Sequence, residues 1–457
     1  MSQAQEQPLK SSDENLDPIA RRKNRKALEA PKYCVWEITL ACDLGCKHCG
    51  SRAGKKRQTE LSTAECLDVV RQLDEMGFSE VTLIGGEAYL REDWDIIAKE
   101  IVNRGMLCGI TTGGRAFTEE RVKRAEDAGI SHISVSIDGL QKTHDALIGA
   151  SGSWRDALKS AERISKTKIK LSNNTQINRL SLPELPALSQ LLVDTGSKSW
   201  QIQITVPMGK AGDRTDLLLQ PYDLLTLFPI LAWIKENRLQ PNGIRLFPGN
   251  NIGYFGPYEE LLRYGGGKGT HWEGCGAGKS CIGIEADGKI KGCPSLPSDV
   301  YTGGYTQHAR VEDVIMQASE VNHIKQRTKD DLWGYCQTCY YADICKGGCT
   351  WTAHCTLGKA GNNPYCIHRA LDFESKGLRE KLVPLTPPPG KPFDFGTLGI
   401  EIEPMPQPLS EDALILGHPI EKVLSLSWQD IPSIWQDEQI NTILKKDFSH
   451  QTLFQIR

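Results

Sequence analysis

The sequence predicts an α/β protein: a partial (β/α)6 barrel of the TIM type, followed by a cysteine-rich extension. Two observations carry this prediction. Apolar strand-like runs alternate with helical patterns from about residue 33 to residue 247, and such a series is typical of a parallel sheet wound right-handedly. From residue 248 to residue 382 that alternation stops, and nine closely spaced cysteines with many glycines take its place.

In the barrel part, short apolar runs each precede a helical pattern. The runs predict strands at 33–40, 80–84, 106–112, 132–137, 168–173 and 200–206, with a last short strand at 244–247. The helical patterns lie at 62–77, 94–103, 118–128, 154–165, 183–194 and 221–237. The first helix opens with Ser62 and Glu65, which have the spacing of a capping box.

Composition divides the chain into five predicted parts. They are a polar arm (1–30), the barrel (31–247), the bridging region and cysteine-rich extension (248–382), a Pro-rich linker (383–408) and a C-terminal tail of unknown role (409–457). Within the tail, a helix is predicted at 427–446.

The bulk composition excludes several partners. A formal net charge of −3 gives no electrostatic reason to expect nucleic acid or an anionic membrane. No run is expected to be long enough to span a membrane, and residues 1–25 lack the apolar segment of a secretory signal. Fifteen cysteines without such a signal indicate metal or thiol chemistry in a reducing compartment, so a cytoplasmic protein is expected.

Three cysteines, Cys42, Cys46 and Cys49, follow the first predicted strand at C-x3-C-x2-C. A loop after a barrel strand is a natural place for a site. Three thiolates cannot fill four positions, so a 4Fe–4S cluster on this loop would keep one iron open. A structural zinc site is the alternative, although His48 is too close to its neighbours to complete one comfortably.

A second group of eight cysteines is numerous enough for two closed four-ligand centres. Its members are Cys275, Cys281, Cys293, Cys336, Cys339, Cys345, Cys349 and Cys366. Gly288 lies where a hairpin turn would bring Cys281 and Cys293 back to one point. Zinc ribbons remain the alternative. The other four cysteines sit in apolar patterns or between ligands and are expected to be inert: Cys34, Cys66, Cys108 and Cys355.

The first cysteine loop, followed one β/α unit later by Gly85, Gly86 and Glu87, resembles the signature of the radical S-adenosylmethionine (SAM) superfamily. The resemblance implies that the loop holds a 4Fe–4S cluster whose free iron chelates SAM. It also implies that the Gly-Gly-Glu segment holds the amino group of the methionine part, that Ser136 contacts SAM, and that Val206 packs on its adenine.

The chain departs from this family pattern at one position. Many relatives carry an arginine at about the place of Ile148, so another group must meet the SAM carboxylate here. Asn178 and Arg179, after the fifth predicted strand, are the candidates.

The second cysteine group resembles the SPASM domain, a C-terminal extension of many radical SAM enzymes. The resemblance implies two auxiliary 4Fe–4S clusters with interleaved ligands, three clusters in all. Auxiliary cluster I would take Cys275, Cys281, Cys293 and Cys349, and auxiliary cluster II would take Cys336, Cys339, Cys345 and Cys366. With every position filled, electron transfer is favoured over substrate binding at these clusters.

The implied activity is reductive cleavage of SAM to a 5′-deoxyadenosyl radical, which abstracts hydrogen from a substrate C–H bond. The implied substrate is a side chain of a ribosomally made peptide, modified by an oxidative crosslink or a related maturation step. An external low-potential electron donor, such as flavodoxin or ferredoxin, is also implied.

Other functions remain open. A small-molecule metabolite is one alternative substrate, and a sulfatase-type protein side chain is another. Sulfatase maturases carry an aspartate after the third ligand of cluster I, whereas Pro294 and Ser295 follow Cys293 here. A zinc-stabilised binding module and an electron-transfer scaffold are the non-catalytic alternatives.

Overall fold

The computed structural model describes residues 33–263 and 270–406. The predicted polar arm (1–30), the tail (409–457) and the helix predicted at 427–446 lie outside the described residues.

Ten strands form one sheet. They are β1 (Tyr33–Thr39), β2 (Glu80–Gly85), β3 (Leu107–Thr112), β4 (His132–Ser136), β5 (Lys170–Ile177), β6 (Ser199–Ile204), β7 (Arg245–Pro248), β8 (Cys281–Ile284), β9 (Lys289–Lys291) and β10 (Thr302–Tyr305). Strands β1 to β7 lie side by side in chain order and are parallel. On the other side of β1, β8 is parallel to it, and β9 and β10 follow antiparallel. The predicted α/β fold is confirmed, and the extension continues the barrel sheet.

Helices cover this sheet. They are α1 (Thr63–Glu75), α2 (Trp94–Asn103), α3 (Glu119–Asp127), α4 (Gln141–Ile148), α5 (Ser153–Ser165), α6 (Leu185–Asp194), α7 (Leu224–Ile234), α8 (Glu259–Leu262), α9 (Ser298–Tyr301), α10 (Val311–Gln317), α11 (Ser319–Gln326), α12 (Ala342–Cys345), α13 (Thr350–Leu357) and α14 (Ile367–Ser375). The capping box of α1 is present as predicted, with Ser62 and Glu65 bonded reciprocally. A continuous apolar core lies between the sheet and the helices.

A β-hairpin occupies most of the segment predicted to be a linker. Strand β11 (Leu378–Thr386) pairs antiparallel with β12 (Thr397–Pro404), and the hairpin contacts α14 and α13. The linker prediction is therefore wrong for residues 383–404. The linker was predicted from its proline content, but most of these prolines lie in the turn that connects β11 and β12. Pro384 lies within β11, at a position where the strand needs no N–H donor.

The helix predicted at 221–237 is α7, which has short helical turns before and after it between residues 215 and 242. Residues 215–242 are long and apolar enough to cross a membrane by length and composition alone. However, most of this stretch is buried inside the protein, as in a core helix.

Candidate functional site

The first cysteine loop is held in place by its backbone. The amide of Cys42 donates to the carbonyl of Gly54 at 2.9 Å, and that of Lys47 donates to Leu147 at 2.8 Å. Leu147 lies in the last turn of α4, a helix that the sequence analysis missed. The apolar Ile148 next to it is 3% exposed, so this position is buried and supplies no arginine.

The two glycines of the Gly-Gly-Glu segment pack against the same loop. The Gly86 amide donates to the Thr39 carbonyl at 3.0 Å, and the Glu87 amide donates to the Ala41 carbonyl at 2.7 Å. A Cβ atom on Gly86 would lie 2.0 Å from the Ala41 oxygen, which is impossible without backbone movement. The glycines are therefore required by contact between two backbone segments, and this contact places Glu87 beside Cys42.

The carboxylate of Glu87 is buried without a cationic partner. Its oxygens accept hydrogen bonds from the Thr112 hydroxyl at 2.6 Å and the Gly113 amide at 2.5 Å, and the residue is 2% exposed. No cationic side chain of the described residues forms an ion pair with it, although the charge of Arg121 acts on it from farther away. Burial raises the pKa of Glu87 to about 8, despite these two hydrogen bonds. An ammonium group bound here would supply the missing counter-charge.

The three thiols of the loop face one another. Burial raises the pKa of Cys42 to about 12, with Glu87 and Cys49 adding to the rise. Burial also raises the pKa of Cys46 well above its ordinary value, and Cys49 and Cys42 contribute. Such thiols ionise only when a cation binds among them, as happens in a metal site.

The spacing of the thiols bears on the kind of metal. Within residues 33–263 and 270–406, no three His, Cys, Asp or Glu side chains converge to hold a single metal ion. Thiolates around one zinc ion must lie within about 4 Å of one another, because each Zn–S bond is ~2.3 Å. In a cubane each thiolate binds a different iron, so the sulfurs stand farther apart.

One group of four cysteines lies around the β8–β9 hairpin. Cys281 begins β8, Cys293 follows β9, and Gly288 turns the chain between them at φ +84°. A hydrogen bond from the Cys281 thiol lowers the pKa of Cys293 to about 7. Cys275 interacts electrostatically with Cys293, and Cys349 interacts with both of them. This membership matches the set that the resemblance implies for cluster I, whose ligation stays a prediction.

The other four cysteines line a separate pocket. They are Cys336, Cys339, Cys345 and Cys366. The pocket wall also contains the stacked rings of Phe255 and Tyr341, whose centroids are 4.1 Å apart. Tyr254 is fully buried. Its phenol interacts electrostatically with Cys349 of the first group of four cysteines and with Cys345 of the second, so it lies between the two groups. The donor set fits cluster II, whose ligands likewise stay predicted.

Ser136 and Val206 are the two other residues that the resemblance implies at the SAM site. Ser136 ends β4, half-buried, and lies opposite Asn174 of β5. Val206 is 2% exposed in an apolar cluster with Met208, Cys355 and Phe393. The roles of Ser136 and Val206 toward SAM stay predictions.

The two candidates for the SAM carboxylate are engaged elsewhere. The Asn178 side chain accepts hydrogen bonds from the amides of Leu180 and Ser181 within its own turn. Arg179 lies near Asp216 and Tyr222. The four cysteines that were expected to be inert are all buried in the core: Cys34, Cys66, Cys108 and Cys355.

A buried histidine pair beside the cysteine loop was missed. His48 Nε2 lies 3.0 Å from Asp138 Oδ2, and the amide of Asp138 donates to His144 Nδ1 at 3.1 Å. Burial alone would raise the pKa of Asp138, but His48 and His144 outweigh it, so this pKa is lowered. The sequence gives His48 no visible partner, because Asp138 follows it by 90 residues.

The hairpin turn was also missed as a support of the cysteine loop. Arg52, three residues after Cys49, donates from Nε to Asp394 Oδ1 at 2.7 Å and holds Asp213 with both terminal nitrogens. The Asp394 carbonyl accepts from the amide of Gly209 at 2.8 Å. The turn of the β11–β12 hairpin is thereby fastened to the cysteine loop and to the chain after β6.

Replacing Asp394 by asparagine is expected to loosen this turn. Asparagine keeps an acceptor oxygen but loses the ion pair, whose carboxylate is 2% exposed. The free energy of unfolding is expected to fall by about 1–3 kcal/mol, measured by denaturant titration, with faster proteolysis within 387–396. Asp213→Asn is the matched control, because Asp213 binds the same arginine but is 46% exposed. Equal effects of the two variants would contradict the role given to Asp394.

Comparison with known proteins assigns the barrel to a family. Residues 36–184 match the Radical SAM superfamily. The AdoMet-dependent heme synthase of Methanosarcina barkeri is 28% identical over 351 residues, which cover 74% of this chain and 97% of that protein. The mycofactocin maturase MftC of Mycolicibacterium smegmatis is 26% identical, over 77% of this chain and 87% of its own.

A solved structure shares the fold beyond the barrel. The crystal structure of Streptococcus suis SuiB bound to precursor peptide SuiA superposes with a TM-score of 0.57 at 18% identity, over 76% of this chain and 77% of that one. The family match agrees with the geometry of the site. Three thiols follow β1, and the Gly-Gly-Glu segment packs against their loop. The chain therefore carries a Radical SAM domain at residues 36–184, and its fold beyond that domain is shared with SuiB.

Proposed function

We propose that the chain is a radical SAM oxidoreductase that matures a ribosomally synthesised peptide by abstracting hydrogen from one of its side chains. The observation that carries this proposal is the three-thiol loop with the buried, uncompensated carboxylate of Glu87 beside it. That pair matches what SAM needs: an open iron, and a counter-charge for its ammonium group.

The roles of the residues follow from this placement. Cys42, Cys46 and Cys49 hold the first 4Fe–4S cluster, which when bound supplies the electron that breaks a C–S bond of SAM. Glu87 binds the ammonium group, and Gly85 and Gly86 keep its strand against the cysteine loop. Ser136 and Val206 line the rest of the SAM pocket.

The extension serves electron transfer in this proposal. Cys275, Cys281, Cys293 and Cys349 hold auxiliary cluster I, and Cys336, Cys339, Cys345 and Cys366 hold auxiliary cluster II. After hydrogen abstraction, oxidation of the substrate radical releases one electron. The two auxiliary clusters offer a route for that electron. A cytoplasmic flavodoxin or ferredoxin supplies the low-potential electron for SAM.

The named relatives support a peptide substrate and also suggest one alternative substrate. MftC is a maturase, and the SuiB structure contains a precursor peptide. The heme synthase relatives favour a second candidate, a tetrapyrrole substrate, because the chain matches nearly the whole length of one of them.

The first experiment is anaerobic reconstitution with iron and sulfide, followed by reduction in the presence of SAM. We expect about twelve irons per chain, from three 4Fe–4S clusters, and formation of 5′-deoxyadenosine. About four irons would remove the auxiliary clusters from the proposal, and absence of 5′-deoxyadenosine with the first cluster present would reject the enzyme.

The second experiment separates the two substrates. The reconstituted enzyme is incubated with short peptides encoded beside its gene and, in parallel, with an iron porphyrin bearing propionate side chains. A change in peptide mass that depends on SAM supports maturation. A change in the porphyrin alone would replace the peptide by the tetrapyrrole.

A further inference from the structure

A buried arginine in the extension has no carboxylate partner. Arg327 follows α11 and is 8% exposed. Its Nη1 donates to the Thr350 hydroxyl at 3.0 Å, and no Asp or Glu oxygen of the described residues lies within 4 Å of its guanidinium. Asp331, four residues along, is exposed, and its carboxylate accepts hydrogen bonds from the amide and hydroxyl of Thr328. These bonds lower the pKa of Asp331 more than does the charge of Arg327, which acts on it from beyond ion-pair distance.

Such an arrangement is costly in a folded protein. A guanidinium stays charged at every physiological pH and loses solvation when it is buried. Buried charges in proteins are therefore paired or lie against a bound ion. An anion that the polypeptide does not supply as a carboxylate is expected near Arg327.

The contacts of Arg327 lead to the cysteines of cluster I. Thr350, fully buried, accepts from Arg327 through its hydroxyl, and its backbone N–H faces the thiol of Cys275. Thr350 directly follows Cys349, so Arg327 is bonded to the residue next to a predicted ligand of cluster I.

A second buried cation near these cysteines behaves differently. Lys291 is fully buried two residues before Cys293, and its charge also reaches that thiol. However, Lys291 Nζ lies 2.6 Å from Glu285 Oε1, so its charge is largely compensated. Arg327, by contrast, forms no ion pair with any carboxylate of the described residues.

We propose that Arg327 is the counter-charge of auxiliary cluster I and raises its reduction potential. This inference rests on the proposed function, in which four thiolates hold that cluster. A cluster with four thiolates is anionic, and reduction adds one more negative charge. A fixed cation nearby stabilises the reduced form more than the oxidised one, which favours cluster I as the acceptor of an electron from the substrate.

The test uses the full chain with Cys42, Cys46 and Cys49 replaced by alanine, so that only the auxiliary clusters remain. Midpoint potentials are measured by redox titration monitored by electron paramagnetic resonance, together with iron content. With Arg327→Met, we expect about eight irons per chain and a negative shift of one midpoint only, the other serving as internal control. With Arg327→Lys, that midpoint returns toward the parent value, because the charge is restored.

Each outcome separates the inference from the proposed function. Full iron with both midpoints unmoved in Arg327→Met overturns the role of Arg327 and leaves the clusters. A parent that binds no auxiliary iron rejects the clusters themselves. If Arg327→Met fails to hold iron, Arg327→Gln is compared with Arg327→Lys: retention only in the lysine variant supports a charge requirement, and loss in both overturns it.

Discussion

Replacing Cys46 by alanine is expected to abolish SAM cleavage while the iron of the extension stays in place. Cys46 is central to the three-thiol loop, since both Cys42 and Cys49 act on it. Two thiolates cannot hold the first cluster, so iron is expected to fall from about twelve to about eight per chain. Formation of 5′-deoxyadenosine is expected to fall by more than ~100-fold, because loss of a residue that merely orients a metal ligand already costs up to that factor.

The matched control is Cys34→Ala, because Cys34 is a fully buried thiol in β1, a few residues before the same loop. Its iron content and SAM cleavage are expected to equal those of the parent. Cleavage retained in Cys46→Ala, or iron lost equally in the two variants, would contradict the assignment of the loop as the SAM site.

Local patterns made most of the barrel predictable. Its strands and helices repeat in chain order, so apolar periodicity and caps such as Ser62 with Glu65 locate them without tertiary information. The cysteine groups were accessible only in part: spacing brings neighbouring thiols of a loop or hairpin together, whereas the placement of Cys349 with Cys275 and Cys293 was implied by the resemblance to the SPASM domain. The β8–β9 hairpin shows the effect of spacing, since Gly288 returns Cys293 to Cys281.

The supports of the site were not predictable, because they join distant parts of the chain. Arg52 and Asp394 are separated by 342 residues and His48 and Asp138 by 90, so neither pair leaves a local signature. Helix α4 was missed because its eight residues lie between a strand and a longer helix. Proline composition hid the β11–β12 hairpin, whose strands are stabilised by packing on α13 and α14.

Glu87→Gln is expected to weaken SAM binding about 10- to 100-fold, since an ionic hydrogen bond to a buried carboxylate is worth about 1.5–3 kcal/mol. Glutamine has nearly the same shape, and its oxygen can still accept from Thr112 or Gly113, but it offers no negative charge to an ammonium group. The dissociation constant of SAM is measured by anaerobic equilibrium dialysis on reconstituted protein with confirmed iron content.

Glu80→Gln is the control for this change, because Glu80 is a half-buried carboxylate on the same strand, β2, at the end away from the cysteine loop. Its SAM affinity is expected to stay within about twofold of the parent, since a partly solvated charge at that distance is screened. If Glu87→Gln also binds SAM normally with all its iron present, the ammonium group must be held elsewhere. The contact between the Gly-Gly-Glu segment and the cysteine loop would then serve the fold alone.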